Sequence, residues 1–535
     1  MRHPPPVDWS PVTPTDAGSM PRPTGNRPST TSPIALADLA DLVGFPVNGP
    51  ADGTQIRGVT LASGEARPGD LYAALPGART HGTQYVRDAV SGGAVAVLTD
   101  PTGRESAVAA GVPVCVVDDP RAVLGEVADR VYGEPSHRLS VLGITGTNGK
   151  TTTAYLVEAG LAAAGLGTGL IGTVQTRTRG RDADGQPTVT EFPSVRTTPE
   201  APALHALLAT MGESGVSAVV MEVSSHALVM GRVGGVRFAA AGFTNLGRDH
   251  LDFHGDLEEY FQAKAMLFDG RAERELVTLD DDAGRRLAGL RPDAGTVSID
   301  GAADWTATDV EPALGGGSTF TLRGPDGATW PARLRLSGRF NVANAVLAVA
   351  LLDAVGVPVV TALAGLAETV VPGRMEPVEA GQPFVAVVDY AHTPDAVATA
   401  LAALRDATSG RLITVLGCGG DRDPGKRAAM GAAAAAGSDV LVVTDDNPRS
   451  EDPAVIRAAM LAGVQDVPPD RRAEVLEVAG RRNALAAAVA LAAPGDTLLV
   501  AGKGHETGQE VAGTVHPFDD RTVLREVLTG MGSHA

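Results

Sequence analysis

VLGITGTNGKTTTAYLVEAG, residues 141–160, passes from an apolar run through glycine-punctuated polar residues into a helix-forming stretch. The common phosphate-loop pattern, G-x-x-x-x-G-K-[ST], asks for glycine five residues before Gly149, where this chain has Ile144. Glycines stand instead at 143 and 146, giving a shorter G-x-x-G-K-T core. Val141, Leu142 and Ile144 suit a buried strand that delivers the chain to a tight turn, and Thr151–Ala163 reads as a helix. Backbone N–H groups at such a helix start, with the Lys150 ammonium, would cradle phosphate oxygens. Thr151 could place its hydroxyl on Mg²⁺. A plain strand–turn–helix corner with a solvated lysine fits the same string, so the loop needs support from elsewhere.

That support comes from the basic residues. Of 44 Lys plus Arg only four are lysine, at 150, 264, 426 and 503. Arginine fills nearly every role that merely needs a cation, so a retained lysine points to a place for a compact ammonium or a reactive amine. The four sit in distinctive strings, GTNGKTT, EYFQAKAMLF, DRDPGKR and AGKGHE. Around Lys264, Tyr260, Phe261, Leu267 and Phe268 fall at helical spacing and give it apolar neighbours on one face. An ordinary surface lysine is the plainer alternative.

A chain of 535 residues exceeds one core, so two to four domains are expected. Its formal charge of −19, without a long basic run, argues against a nucleic-acid groove. Cys115 and Cys418 form no metal or disulfide pattern, which suits a reducing cytoplasm. No apolar run approaches the roughly 20 residues that span a bilayer. Residues 1–33, rich in Pro, Ser and Thr and without the apolar segment of a secretory signal, read as a disordered tail.

Residues 34–136 carry a helical string, ALADLADLVG, and extended ones, IRGVTL, DLYAALPG, AVAVLTD and VPVCVVDD, which together predict a small α/β domain. Residues 137–372 alternate strands (SAVVMEV, FAAAGFTNL) with helices (ALHALLATMGE, LEEYFQAKAMLF), predicting a mostly parallel sheet. A hairpin, GSTFTLRGPDGATWPARLRLSG, and a helix, NVANAVLAVALLDAVG, close that section. From 373 to 535 four apolar strands, FVAVVDYAH, RLITVLGCGGD, DVLVVTDDN and DTLLVAGKG, end in polar or glycine-rich loops. Ligands gather at the carboxyl ends of such strands.

With TGTNGKTTT at its centre, the chain also carries MEVSSHAL, TNLGRDHLDFHG, EYFQAKAMLF, GRFNVANA, VPGRMEPV, VVDYAHTPDA, GCGGDRDPGKR, TDDNPRSEDP and AGKGHE in order. Together these strings resemble the Mur ligase family over nearly everything beyond the tail, and the loop without glycine at 144 is that family's form. The resemblance implies three α/β domains: a small UDP-binding domain, a central P-loop ATP-binding domain and a C-terminal Rossmann-like domain. It implies ATP-dependent amide formation through an acyl phosphate, adding meso-2,6-diaminopimelate to UDP-N-acetylmuramoyl-L-alanyl-D-glutamate for peptidoglycan, with neither nucleic acid nor membrane insertion. L-lysine addition, a folylpolyglutamate synthetase and a P-loop phosphotransferase or switch are the alternatives.

The same resemblance assigns roles. Gly146, Thr147, Asn148, Gly149, Lys150, Thr151 and Thr152 would hold ATP phosphates, with Asn341 near the base, Asp389 on the ribose and Arg374 on phosphate. Asn341 and Arg374 could equally be cap and salt-bridge residues. Thr151, Glu222, His250 and Lys264, the last as a CO₂-derived carbamate, would serve Mg²⁺. A paired strand-end carboxylate and a hydrogen-bonded structural histidine are the alternatives for Glu222 and His250. Leu61 and Ser63 match the uridine stretch, and Thr197, Thr198, Ser224 and Arg232 the muramoyl-peptide contacts. Met230 stands where many relatives have Gln, and a thioether lacks an amide's donors. Arg422, Asp446, Asn447, Pro448, Arg449, Gly502 and Glu506 would receive the amino acid, with Arg449 offering its fork to a carboxylate and Glu506 suited to the distal ammonium. Pairing of Arg449 with Glu451 or Asp452 on a solvated loop is the alternative.

Overall fold

The computed structural model describes residues 27–49, 51–77, 80–181, 185–194, 196–313 and 317–532. The expected tail therefore lies outside the described residues as far as 26. Beyond that point Arg27 pairs with Asp70 at 2.8 Å, and the Ser29 and Thr30 N–H groups donate to Glu213. The chain is mixed α/β with three main, largely parallel sheets, packed as two compact units. The first holds residues up to Thr306 with Gly324–Asp326 and Asn344–Leu366; the second holds Ala307–Arg323, Gly327–Ala343 and Ala367 onward.

In the first unit a small sheet runs in the order Val47–Asn48, Val114–Val116, Ala94–Thr99, Asp70–Ala74, Gly58–Thr60. All but the first strand are parallel, and Asp70–Ala74 is buried on both faces, which is why it reads as a near-continuous apolar run. The helix Pro120–Val131 starts on an Asp119 cap with proline in its first turn, and buries Leu124 and Val127 against Leu71 and Leu98.

The central sheet of that unit places Ser140–Thr145 between Ala218–Glu222 and Ala240–Phe243, all parallel. Their carboxyl ends converge, so the residues that follow, Gly146, Val223 and Thr244, open on one edge. Helix Lys150–Ala163 is buried along most of its length. On the far side two antiparallel strands, Thr176–Arg181 and Pro187–Phe192, extend the sheet; sequence patterning did not signal them.

In the second unit the expected hairpin is present as Ser318–Arg323 paired with Thr329–Leu334. Its main sheet has the order Glu376–Pro377, Val385–Asp389, Thr497–Ala501, Leu412–Cys418, Val440–Asp445, Glu474–Glu477. The four expected strands form its parallel centre, and the two edge strands are additions. Alternate residues face opposite layers: Leu441 and Val443 pack with Met430 and Ile456, whereas Val440 and Val442 pack with Leu485 and Leu524. A buried Arg481–Asp520 pair at 2.7 Å ties helix Arg481–Leu491 to helix Asp520–Gly532. Among the described residues no helix is long and apolar enough to cross a membrane.

Candidate active site

The loop after Ser140–Thr145 turns on two glycines. Gly146 has φ +147°, and a Cβ there would sit 1.8 Å from the Thr244 hydroxyl. Gly149 has φ +88°, and a Cβ there would sit 2.3 Å from Asn344 Oδ1. Both need a residue without a side chain. Thr147 N donates to the Asn245 carbonyl and Asn148 N to Asn245 Oδ1, both at 2.9 Å, which fixes the loop against TNLG. The Thr147 hydroxyl accepts from Gly247 N at 2.9 Å and donates to the Tyr260 hydroxyl at 3.2 Å. Lys150 Nζ donates to the Gly146 and Thr147 carbonyls, both at 2.8 Å. Thr151 and Thr152 lie in the first turn of Lys150–Ala163, buried.

Glu222 ends its strand facing this turn. Its Oε2 accepts from the Thr151 hydroxyl at 3.0 Å and the Thr173 hydroxyl at 3.2 Å, and Oε1 accepts from Thr173 N at 2.8 Å. The Thr173 hydroxyl also meets that of Thr197 at 2.9 Å. A carboxylate and a hydroxyl 3.0 Å apart beside the glycine loop form a hard-oxygen donor set of the kind Mg²⁺ takes.

Lys264, on helix Leu257–Ala265, is 1% exposed, so it is not a surface lysine. Its Nζ donates to the Gly146 carbonyl at 2.7 Å and lies 4.3 Å from the Tyr260 ring centroid. Burial first, then the Lys150 charge, pushes its pKa well below the ordinary lysine range, with Asp249 opposing. His250 adopts a left-handed backbone (φ 54°) and is half exposed; its ring lies 4.9 Å from that of His226 and 6.2 Å from that of Tyr260. The neighbouring His254 is buried, 2.8 Å from the Ser225 hydroxyl.

Thr198 and Ser224 form one cluster. The Thr198 hydroxyl donates to the Glu222 carbonyl at 2.9 Å and accepts from Ser224 N at 3.1 Å, while Ser224 Oγ caps the helix Ser225–Val229. Arg232 lies 2.9 Å from Glu200 and donates to the Thr198 carbonyl at 3.4 Å and to Met230 Sδ at 3.2 Å. Met230 thus serves as a soft acceptor for the arginine beside it. Leu61 packs against the small-sheet core, and Ser63 starts the short turn Ser63–Glu65.

In the second unit, Asp389 Oδ2 accepts from Met375 N at 2.7 Å and Oδ1 from Ala391 N at 2.8 Å. Burial raises its pKa, opposed by the Arg374 charge. The Arg374 guanidinium stacks 4.6 Å over the Tyr390 ring. Asn341 donates to the Ser337 carbonyl at 2.8 Å. Gly502 N donates to the Asp389 carbonyl at 3.2 Å, so the Asp389 and Gly502 strand ends adjoin.

Asp446, Asn447, Pro448 and Arg449 follow Val440–Asp445 as the spacing predicts. Arg449 is left-handed (φ 52°), donates Nη1 to the Gly420 carbonyl at 2.6 Å, and sets Nε 3.3 Å from Glu510. Its partner is Glu510 rather than Glu451, which pairs with Arg427. Asn447 Nδ2 donates to Glu506 Oε2 at 2.7 Å. Arg422 is exposed on the loop after Leu412–Cys418. Thr173 and Asn344 are parts of the glycine-loop site that sequence reasoning missed; Thr173 arrives from a distant segment with no local signal, and Asn344 lies in GRFNVANA, whose only assigned residue is Asn341.

A glycine loop at a helix start, faced by a strand-end carboxylate, defines a nucleotide-binding α/β enzyme. The Mur ligase middle domain matches residues 144–352, the Mur ligase glutamate ligase domain 373–504, and the Mur ligase family catalytic domain 55–132. The chain belongs to the Mur ligase family and is a ligase. It is 54% identical over 508 residues to UDP-N-acetylmuramoyl-L-alanyl-D-glutamate–2,6-diaminopimelate ligase of Streptomyces coelicolor, covering 94% of this chain and 98% of the relative. With the same-named ligase of Corynebacterium glutamicum it shares 47% identity, covering 92% and 97%. A solved structure of a ligase of that name aligns with TM-score 0.68 at 29% identity, covering 94% of this chain and all of the other.

Proposed function

We propose that this ligase uses ATP to join meso-2,6-diaminopimelate to UDP-N-acetylmuramoyl-L-alanyl-D-glutamate. The observation that carries the reading is near-full-length similarity to ligases so named, at 54% and 47% identity. A substrate carboxylate oxygen attacks the γ-phosphorus of ATP, ADP leaves, and an acyl phosphate forms. The amine then attacks the acyl carbon, a proton is lost from nitrogen, and phosphate leaves. Such transfers depend on positioning and charge stabilisation.

In this reading the N–H groups of Gly149–Thr152 at the helix start and the Lys150 ammonium hold phosphate oxygens, while Gly146, Thr147 and Asn148 shape the loop, the last two through their N–H bonds to Asn245. Thr151 and Glu222 would hold Mg²⁺, with His250 beside a second ion, and the metal would supply neutralisation of phosphate charge. Lys264, whose burial favours the neutral amine, would add CO₂ at Nζ: an N–C bond forms, one proton leaves the nitrogen, and the neutral amine becomes an anionic carbamate. Asn341, Arg374 and Asp389 serve the nucleotide, Leu61 and Ser63 the uridine, and Thr197, Thr198, Ser224 and Arg232 the muramoyl peptide. Arg449 Nη2 makes no hydrogen bond among the described residues and suits the distal carboxylate of diaminopimelate, with Glu510 beside the guanidinium at Nε. Arg422, Asn447, Gly502 and Glu506 complete that subsite. The two cysteines are free and buried, which suits the cytoplasm. ADP release tests the reading: it should require the UDP-dipeptide and meso-diaminopimelate together, and release indifferent to any amino acid would support a phosphate-loop switch.

A further inference from the structure

Lys503 follows the strand Thr497–Ala501 by two residues and is fully buried, at 0% exposure. Its ammonium has three donors, and the protein supplies three acceptors: the Gly508 carbonyl at 2.6 Å, Glu506 Oε2 at 3.1 Å and Asn447 Oδ1 at 3.2 Å. Asn447 Nδ2 donates to the same Glu506 Oε2 at 2.7 Å. Two donors therefore occupy one carboxylate oxygen, and Glu506 Oε1 has no partner among the described residues. The Glu506 side chain remains about one-third exposed.

The hairpin Gly508–Val511 with Thr514–Pro517 is bound to the same group. Gln509 Nε2 donates to the Asp446 carbonyl at 2.5 Å, and Glu510 N to Asn447 Oδ1 at 3.0 Å. Arg449 N donates to the Glu510 carbonyl at 2.9 Å, and Ala512 N to the Arg449 carbonyl at 2.7 Å. The turn Asp446–Arg449 is thereby tied to the hairpin through a single isolated parallel bridge between Arg449 and Val511, with Arg449 in its left-handed conformation.

We propose that Lys503 is the positioning residue of the amino-acid subsite: it locks Glu506 and Asn447 so that only Glu506 Oε1 faces the ammonium of the incoming amino acid. This rests on the assignment of Glu506 to that subsite. An isolated carboxylate can rotate and offer either oxygen. One clamped by a buried cation offers a single acceptor at a fixed place, and the cation keeps the pair neutral until a second ammonium arrives. The expected selectivity is for a ligand whose ammonium and carboxylate lie at the spacing of Glu506 Oε1 and the Arg449 fork, as on one amino-acid head.

Lys503→Met removes the charge and keeps an unbranched side chain. It should raise KM for meso-diaminopimelate about tenfold or more, the range for leaving buried acceptors unpaired, with KM for ATP and UDP-dipeptide within about twofold of the parent. In Lys503→Met/Glu506→Gln the two losses should be non-additive, because the second change removes the charge that the first leaves unpaired. Equal changes in all three KM values, an unchanged KM for the amino acid, or strict additivity would overturn the proposal. If Lys503→Met does not fold, the double variant decides: recovered Tm supports charge pairing, and a second unfolded protein makes Lys503 a packing residue and overturns it. A parent enzyme that ignores meso-diaminopimelate refutes the subsite assignment instead, so the two failures are distinguishable.

Discussion

Lys150 and Lys264, 114 residues apart in the chain, donate to the same backbone oxygen, the Gly146 carbonyl, at 2.8 and 2.7 Å. Two ammonium groups on one carbonyl repel each other, and Lys264, the buried one, is the one whose proton is destabilised. The four lysines share this habit: Lys426 donates to the His392 carbonyl and Lys503 to that of Gly508. In a chain that uses arginine elsewhere, lysine is kept where a compact head reaches a main-chain oxygen.

The depressed pKa of Lys264 has a stability consequence. Unfolded, the amine binds its proton below about 10.4; folded and unmodified, it does so only well below that. Between the two values the unfolded state holds more protons, so stability rises with pH. In bicarbonate-free buffer Lys264→Met should therefore melt higher than the parent at neutral pH, with the gap closing as pH approaches the unfolded value. A gap constant with pH would contradict the buried neutral amine. Lys264→Ala should nearly abolish turnover, and a short carboxylate such as acetate should restore part of it; near-normal turnover at saturating Mg²⁺ would remove the carbamate from the account.

Thr173 holds both oxygens of Glu222 through its N–H and hydroxyl. Thr173→Val keeps the N–H and deletes the hydroxyl. Loss of a partner that orients a metal-binding carboxylate costs about 10-fold or more in metal affinity. The Mg²⁺ concentration for half-maximal rate should rise accordingly, with the KM for the amino acid unmoved. An unchanged Mg²⁺ dependence would separate Glu222 from the metal.

Gly149→Ala places a methyl group against Asn344 in a left-handed turn. Strain of this kind is about 1–3 kcal/mol. Calorimetry should show binding of an ATP analogue lost, while the circular dichroism of the folded protein is retained. Full-strength binding would mean that the loop does not hold phosphate.

Local pattern made the strand, glycine turn and helix at 140–163 readable, because only glycine tolerates the turn and a buried strand explains Val141–Ile144. The burial of Lys264 was readable from Tyr260 and Phe261 one turn behind it. The strands Thr176–Arg181 and Pro187–Phe192 were not, since they read TRTRGR and PTVTEF and show little apolar alternation. The hairpin Gly508–Pro517 is short, and its second strand is exposed throughout, so nothing in its composition announces that it clamps Arg449. Asn344 reaches Gly149 through tertiary packing, which spacing cannot show.

Arg449 and Glu506 are proposed to receive the distal head of diaminopimelate. L-lysine offers only an ammonium at that end, and Arg449 repels it. A site left with unpaired polar groups by the wrong ligand can discriminate by about 10⁴. The direct measurement is kcat/KM for meso-diaminopimelate and for L-lysine, on the parent and on Arg449→Ala. The parent should strongly prefer meso-diaminopimelate and the variant should lose that preference; comparable kcat/KM for the two amino acids in the parent would rule out the Arg449–Glu506 subsite.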